Sequence, residues 1–600
     1  MTTTEKIQAL RQEMIRANIQ ACIVPSGDPH MSEYAAPRFH QRQWISGFTG
    51  SMGTVAVTNQ DAALWVDGRY IVQAKEQVAD APIEVFLLGA LGQPSLEQWL
   101  MSKLPQGGRV CESGMMVSAA EGMAFRRRLA LNRLTLISDI DLINQIRPGI
   151  PALPDSSAWE LPLEFAGRTI AQKVAALRLQ MSGTGATHYI ISSLDDIAWL
   201  FNLRGGDIDF FPVNYAFAMI TPAGVQLFMN MSKLTAGAAA MLDEQGVTID
   251  EYDRFLPQLD ILPPDAVVAL DPKRTALSVR ERISCSVVEI EEYTRAMKCV
   301  KNPVEVERLK GAAVRDGVAM VRFLMALEHR LMEGETVTEG DIAVMLREQR
   351  AKGDHYIGES FRTIAAYGPH GAMMHYSAGD KGGSELAPEG LMVVDSGAQY
   401  KDGTTDITRT LVLGQPTPLE MHDFTLVLRS HIALASTRFL QGATGSNLDA
   451  IARRPLWDEG LDYRCGTGHG VGYVLHVHED PCRFSQVPNT CVLKPNMVLT
   501  VEPGIYREGV HGIRTENMVL ITEHERNEYG AFLKMEPLTW CPIDKSAIDA
   551  SVLTQQELDW INDYHDQVYR TLSPHLNEDE QAWLQEATSP ITVKGRHSAP

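Results

Sequence analysis

Five side chains in the second half of the sequence have the chemistry to hold divalent metal ions: Asp395, Asp406, His469, Glu502 and Glu516. Asp395 ends the apolar run Leu391 to Val394, and Asp406 opens the run Ile407 to Leu413 after a turn at Lys401, Asp402 and Gly403. These runs read as a hairpin. A turn centred on Asp402 and Gly403 would set Asp395 opposite a residue near 410, so the hairpin must be bulged or twisted to bring the two carboxylates together. Carboxylates inside a sheet need a neutralising partner, and a divalent cation supplies one. Standing alone, the hairpin would read equally well as two surface aspartates on an exposed strand. It does not stand alone. His469 sits among Gly466, Gly468, Gly470 and Gly472, a setting that suits close approach by a metal and a substrate. Glu502 ends the apolar run Val498 to Val501, and Glu516 enters another run that reaches Leu520. Four carboxylates and one imidazole form an oxygen-rich set that favours two hard or borderline ions such as Mn²⁺, with Co²⁺ and Zn²⁺ as alternatives.

The chain that must position them has 600 residues, which at about 150 per domain predicts roughly four domain-sized units. Hydrophobic residues at 44% and charged residues at 22% place it among ordinary globular proteins. With 54 basic against 75 acidic residues the net charge is -21, which argues against a nucleic-acid or anionic-membrane partner. No stretch approaches the ~20 apolar residues that span a bilayer, and the amino terminus has no apolar signal core. The eight cysteines lack any Cys-x-x-Cys pair, a pattern that predicts reduced thiols and a cytoplasmic location.

A repeat emerges when the first 150 residues are slid by 167 positions. Lys6, Ala9, Leu10, Arg11 and Met14 then fall on Lys173, Ala176, Leu177, Arg178 and Met181, and without a gap Ile23, Ser26 and Asp28 fall on Ile190, Ser193 and Asp195. Each copy reads as an amphipathic helix, a buried strand (Ala21 to Pro25; His188 to Ser192) and a polar turn, followed by two more strands. Two tandem α/β domains are therefore expected. Pro148, Pro151 and Pro154 mark a linker between them, and Pro303 opens a long helix at the next boundary. A short helical tail follows Trp540, with the last residues, 594–600, expected to fray.

Taken together, these motifs are specific enough to carry a resemblance. The region from Lys301 resembles the pita-bread metallopeptidases, and nearly the whole chain resembles the three-domain Xaa-Pro aminopeptidases (aminopeptidase P). Ile45 to Ser51, Trp65 to Tyr70, Lys301 to Glu305 and Met535 to Trp540 carry the likeness outside the metal motifs. The resemblance implies an α/β (α+β) chain of four segments. Two creatinase-like domains at 1–150 and 160–298 precede a pita-bread catalytic domain at 299–540, and a carboxyl-terminal extension at 541–600 packs on the last.

It also implies roles. Asp395 would bind one metal, Asp406 and Glu516 both, and His469 and Glu502 the second, with Glu502 also carrying the proton. Two such ions about 3.5–4 Å apart hold a nucleophile and a carbonyl oxygen together. His375 and His478 match the substrate-side histidines that hold the scissile carbonyl and stabilise the oxyanion. Arg514 resembles an arginine that orients carboxylates beside Glu516. One departure stands out. Many relatives carry a further active-site histidine four residues before His469, where this chain has Cys465; a small space-filling thiol is the favoured reading, over a soft extra ligand or a redox-sensitive group. The implied substrates are peptides with proline at the second position, and the implied assembly is a homodimer. Alternatives are a prolidase acting on Xaa-Pro dipeptides, a non-catalytic pita-bread binding module, and a metal-independent creatinase-like hydrolase. The full ligand set disfavours the last two.

Overall fold

The computed structural model describes the chain apart from Arg69, Lys381 and 593–600, together with the side chain of Val72. The expectation for 594–600, and Arg69 within the Trp65 to Tyr70 motif, therefore lie outside the described residues. Contacts divide the chain into two compact units. The first holds Met1–Glu160, Thr169–Asp209 and Val213–Thr294; the second holds Leu161–Arg168, Phe210–Pro212 and Arg295–Pro600.

The first unit contains the repeat as two six-stranded mixed sheets. Across the first run Glu84–Leu87, Ala62–Val66, Thr54–Thr58, Ala21–Pro25, Arg109–Glu112 and Thr135–Ile137. Across the second run Thr248–Asp250, Val225–Met229, Ala216–Ile220, His188–Ile191, Val267–Leu270 and Ser286–Glu289. Position by position the sheets agree, down to which neighbours are antiparallel and which are parallel. Successive strand side chains point to opposite faces, and both faces here are covered. Cys22 and Val24 join the core under the helix Thr3–Arg16, while Ala21 and Ile23 join the core on the other side. Each repeat's opening helix starts with the same device, a capping box made by Thr2 with Glu5 and by Thr169 with Gln172.

The second unit is opened by a third capping box. Asn302 accepts from the Val304 and Glu305 amides, Glu305 reaches back to the Asn302 amide, and Pro303 takes the first helical position of Pro303–Met332. Two sheets then carry the metal motifs. One has the order Ile364–Tyr367, Leu391–Ser396, Ile407–Val412. The other includes Gly530–Pro537, Asn517–Asn527, Val498–Val501, Gly468–Gly470 and Glu479–Phe484, in that order. The tail helices Gln555–Leu572 and Glu578–Ala587 bury Ile561, Tyr564, Val568, Leu572 and Leu584 in one core with Val321, Phe424 and Ile513. Among the described residues no helix is long and apolar enough to cross a membrane.

Nothing in the sequence marks one close cysteine pair. Cys482 and Cys491 stand side by side, with Cα atoms 5.6 Å apart, because the chain returns past the end of the strand Glu479–Phe484 to bring them together.

Candidate metal centre

The hairpin that carries the two aspartates breaks where the turn arithmetic requires it to. Asp395 lies opposite Thr408 rather than a residue near 410, because the strands Leu391–Ser396 and Ile407–Val412 pair only as far as Ser396 with Ile407. Beyond Gly397 the chain peels into a separate small ladder, Ala398–Tyr400 with Gly403–Thr404. Gly397 has no room for a Cβ beside the Thr405 carbonyl and the Ser360 hydroxyl. Asp406 is thereby left at the start of its strand, one residue short of the ladder.

The second sheet contributes from matching strand ends. Glu502 follows Val501, and Glu516 precedes Asn517, the residue paired with Val501. The Glu516 amide donates to the Thr408 carbonyl at 3.1 Å and ties the two sheets at the level of the site. One ligand atom each of Asp406, His469 and Glu516 falls within a mutual 4.8 Å. His469 Nε2 lies 3.4 Å from Asp406 Oδ2 and 3.6 Å from Glu502 Oε1. Its Nδ1 is 2.9 Å from the Gly470 carbonyl. A carbonyl only accepts, so Nδ1 carries the proton and Nε2 turns its lone pair toward the carboxylates. The flanking glycines also serve the packing of the sheet. A Cβ at Gly468 would strike the Thr500 carbonyl, and one at Gly470 the Glu479 carbonyl, so they let the His469 strand pass between its neighbours' backbones.

Asp395 enters through Arg514, whose Nη2 donates to Asp395 Oδ2 at 2.5 Å, while Asp395 Oδ1 is buried with no hydrogen-bond partner. Arg514 also donates from Nη1 to the Tyr506 hydroxyl (2.7 Å) and from Nε to Thr408 Oγ1 (3.2 Å), and Thr408 Oγ1 donates to Glu516 Oε2 (2.6 Å). Four carboxylates thus share a buried space with one guanidinium, leaving three negative charges over. The electrostatics register this excess. Burial first, then the charges of Asp395 and Glu502, raise the Asp406 carboxyl well above the usual range; burial first, then Asp406, does the same to Glu516. Glu502 is pushed up to about 7, mainly by burial. An orphaned buried oxygen, a directed imidazole lone pair and unneutralised carboxylates are a donor set that fits two divalent cations.

The substrate-side candidates are placed differently from one another. The His478 ring stands nearly perpendicular to the His469 ring, 4.5 Å between centroids. His375 lies on an exposed loop after the short turn Gly368–Ala372, outside the cluster of ligand atoms. That turn is packed backbone to backbone on the strand His511–Arg514, with Gly371 against Gly512. Thr408 and Tyr506 were not singled out from the sequence. The pairing of Thr408 with Asp395 follows only from the true register, and nothing in the sequence marks Tyr506.

Cys465 is half-buried at the edge of this group, and Arg453 Nη2 donates to its carbonyl at 2.7 Å. Its thiol is pushed up to about 12 by burial and then by the charge of Glu502. At pH 7.5 its thiolate fraction is on the order of a thousandfold below that of a free cysteine. Peptide-level mass spectrometry after iodoacetamide treatment is therefore expected to find Cys465 essentially unlabelled while free cysteine reacts. Labelling at the free-cysteine rate would show an activated thiol instead.

Comparison with known proteins is consistent along the whole chain. Residues 307–523 match metallopeptidase family M24, and 531–591 match the C-terminal region of peptidase M24. Residues 6–148 and 149–305 each match a creatinase/prolidase N-terminal domain. Aminopeptidase P1 of Arabidopsis thaliana is 34% identical over 98% of this chain and 100% of its own length. A probable Xaa-Pro aminopeptidase P of Coprinopsis cinerea is 37% identical over 98% of each chain. Among solved structures, X-prolyl aminopeptidase of Caenorhabditis elegans superposes with a TM-score of 0.94 at 32% identity, covering 98% of this chain and 100% of that one. It is described as a cytosolic enzyme with a di-nuclear active site.

Proposed function

We propose how this chain, which belongs to the Xaa-Pro aminopeptidases of metallopeptidase family M24, hydrolyses the bond before a penultimate proline. Asp395 would hold one divalent ion, His469 and Glu502 would hold a second, and Asp406 and Glu516 would serve both; the oxygen-rich donors favour Mn²⁺ over Co²⁺ or Zn²⁺. When bound, the pair supplies Lewis acidity and an acidified water nucleophile.

The remaining work falls to the protein's own side chains. Glu502, at the end of its strand and facing His469, is placed to take a proton and give it back. The return matters because the proline nitrogen has no hydrogen of its own and must gain one to leave. His478, beside His469, and His375, on its loop, hold the scissile carbonyl and the charge that develops on its oxygen. Arg514 fixes Asp395 and, through Thr408, Glu516. The observation that carries this reading is the convergence of Asp406, Glu502 and Glu516 on the His469 imidazole, with buried Asp395 Oδ1 left without a partner.

Four further points belong to the same reading. The boundaries 1–150, 160–298, 299–540 and 541–600 divide the chain by function, the peptide substrates are those with a second-position proline, the protein is cytoplasmic, and it works as a homodimer. The cytosolic description of the C. elegans enzyme supports the location.

The deciding experiment assays Xaa-Pro-Xaa, Xaa-Ala-Xaa and Xaa-Pro peptides with purified protein in EDTA and then in added Mn²⁺. Cleavage of Xaa-Pro-Xaa only when metal is restored is the expected result. Preference for the dipeptide would point to a prolidase, and no metal-dependent cleavage of any peptide to a binding module.

A further inference from the structure

Residues Phe210–Pro212 belong by their contacts to the second unit. They reach the segments on either side of the metal centre. The Phe211 ring packs edge-on against His476, two residues before His478, with 4.7 Å between centroids. The Phe210 carbonyl accepts from Gln399 Nε2 at 3.2 Å, and the same amide donates to the Leu475 carbonyl at 2.7 Å. Gln399 lies four residues beyond Asp395, and Thr404 Oγ1 fixes its orientation by donating to Oε1 at 2.7 Å. One buried amide therefore holds Phe210 to both the Asp395 segment and the His478 segment. Phe210 itself has φ +65°, a left-handed conformation that bulky side chains avoid. Such strain persists where the surroundings impose it, and it gathers at ligand clamps.

Phe210 lines a cavity of about 300 Å³ whose other walls include Arg362 and Thr363 and the loop Ser377 to Asp380, which follows His375. The acids around this cavity are already engaged. Arg347 pairs with Glu359 and with both oxygens of Asp380, each at 3.0 Å. Glu339 accepts from the Tyr367 and Ser384 amides and the Tyr376 hydroxyl, and its Oε1 lies 2.8 Å from His370 Nδ1. Arg362 is exposed in the cavity and makes no hydrogen bond or ion pair among the described residues. Its charge reaches Asp380, yet a guanidinium without a hydrogen-bond partner, in a cavity that an aromatic ring also lines, is suited to a carboxylate attached to an apolar group.

We propose that this cavity receives the far end of a short peptide substrate, with its terminal carboxylate on Arg362 and its last side chain against Phe210. The inference rests on the Xaa-Pro aminopeptidase reading and adds a specificity-determining pair to it. A free amino terminus is cationic and Arg362 repels it, so the cavity takes the carboxyl end.

The test uses the metal-loaded, full-length enzyme on Xaa-Pro-Phe and Xaa-Pro-Gly, each as the free acid and as the carboxyl-terminal amide. Wild type is expected to show a lower KM for acid than for amide. Arg362→Gln should raise KM for the acid about tenfold, the loss of a charge-assisted hydrogen bond, while amide KM moves by less than about twofold. Arg362→Lys should recover part of the difference. Phe210→Gly, which accommodates the left-handed backbone, should erase the preference for phenylalanine over glycine at the third position and keep the acid preference. Equal wild-type KM for acid and amide, or an equal loss on both in Arg362→Gln, overturns the proposal alone. Failure to cleave either tripeptide form removes the parent reading and this proposal with it.

Discussion

Asp406→Ala is expected to remove at least three orders of magnitude of turnover and to lower bound metal in the purified protein. The size follows from where Asp406 sits. Its Oδ2 is 3.4 Å from the unprotonated nitrogen of His469, and it shares a group of ligand atoms within 4.8 Å of one another with His469 and Glu516. Metal content by elemental analysis and kcat/KM on an Xaa-Pro-Xaa peptide should fall together. Full turnover in a metal-stripped Asp406→Ala protein would sink the binuclear reading.

The same substitution carries a second expectation of opposite sign. In the metal-free protein the carboxyls of Asp406, Glu516 and Glu502 are all raised, chiefly by burial. A carboxyl with a raised folded-state pKa binds its proton more tightly in the folded protein than in the unfolded chain. Its stabilising contribution is full below the unfolded value near 4 and is lost as pH climbs through the folded one. For Glu502 that window closes at about 7. Melts in EDTA should therefore show the wild-type protein losing stability as pH climbs from about 4 to about 7, and added divalent metal restoring it by binding only the folded state. Asp406→Ala, with one charge fewer in the cluster, should lose less over that window. A wild-type melt in EDTA that does not change across the window would mean that the excess charge is compensated elsewhere.

The sequence made the architecture legible where periodicity and offset carried it. The gapless match of Ile23, Ser26 and Asp28 to Ile190, Ser193 and Asp195 anticipates two sheets with one strand order, because equal patterns of apolar and polar residues fold alike. The four carboxylates could be named because each stands at one end of an apolar run, the place where a strand presents a side chain beyond the sheet, and His469 because glycines surround it. What could not be read depends on contacts between distant segments. The glycines around His469 were visible, but their service to neighbouring backbones was not. Nothing in the sequence marks Phe210; its strain and its hold by Gln399 exist only once residues nearly two hundred positions apart are adjacent. The closeness of Cys482 to Cys491 likewise depends on a loop returning. The role of Arg409, more than a hundred residues away from most of its partners in sequence, is the clearest of these cases.

Arg409→Met is expected to destabilise the protein by about 3–5 kcal/mol, since it would strand several buried acceptors at once. Arg409 is 2% exposed and lies three residues after Asp406. Its Nη1 donates to the Thr408 and Glu516 carbonyls at 2.9 and 2.7 Å, and its Nε to the Pro542 carbonyl at 2.9 Å. Its Nη2 donates to Asn517 Oδ1, the Cys541 carbonyl and the Tyr564 hydroxyl, each at 2.8 Å. These partners are of two kinds. Thr408, Glu516 and Asn517 carry or adjoin the metal centre, while Cys541, Pro542 and Tyr564 belong to the tail. One guanidinium thus joins the backbone of Glu516 to the carboxyl-terminal extension, which explains why a chain with a complete ligand set also keeps that tail. Loss of Arg409 should therefore loosen Glu516 as well as the fold, and a chelator should strip metal faster from folded Arg409→Met than from wild type, at a temperature where both remain fully folded. Arg409→Lys, with three donors on a flexible stem, should fall between the two. A Met variant that melts like wild type would show that Arg409 does not brace the fold, and one that unfolds early but releases metal at the wild-type rate would show that the tail braces the domain without bracing the site.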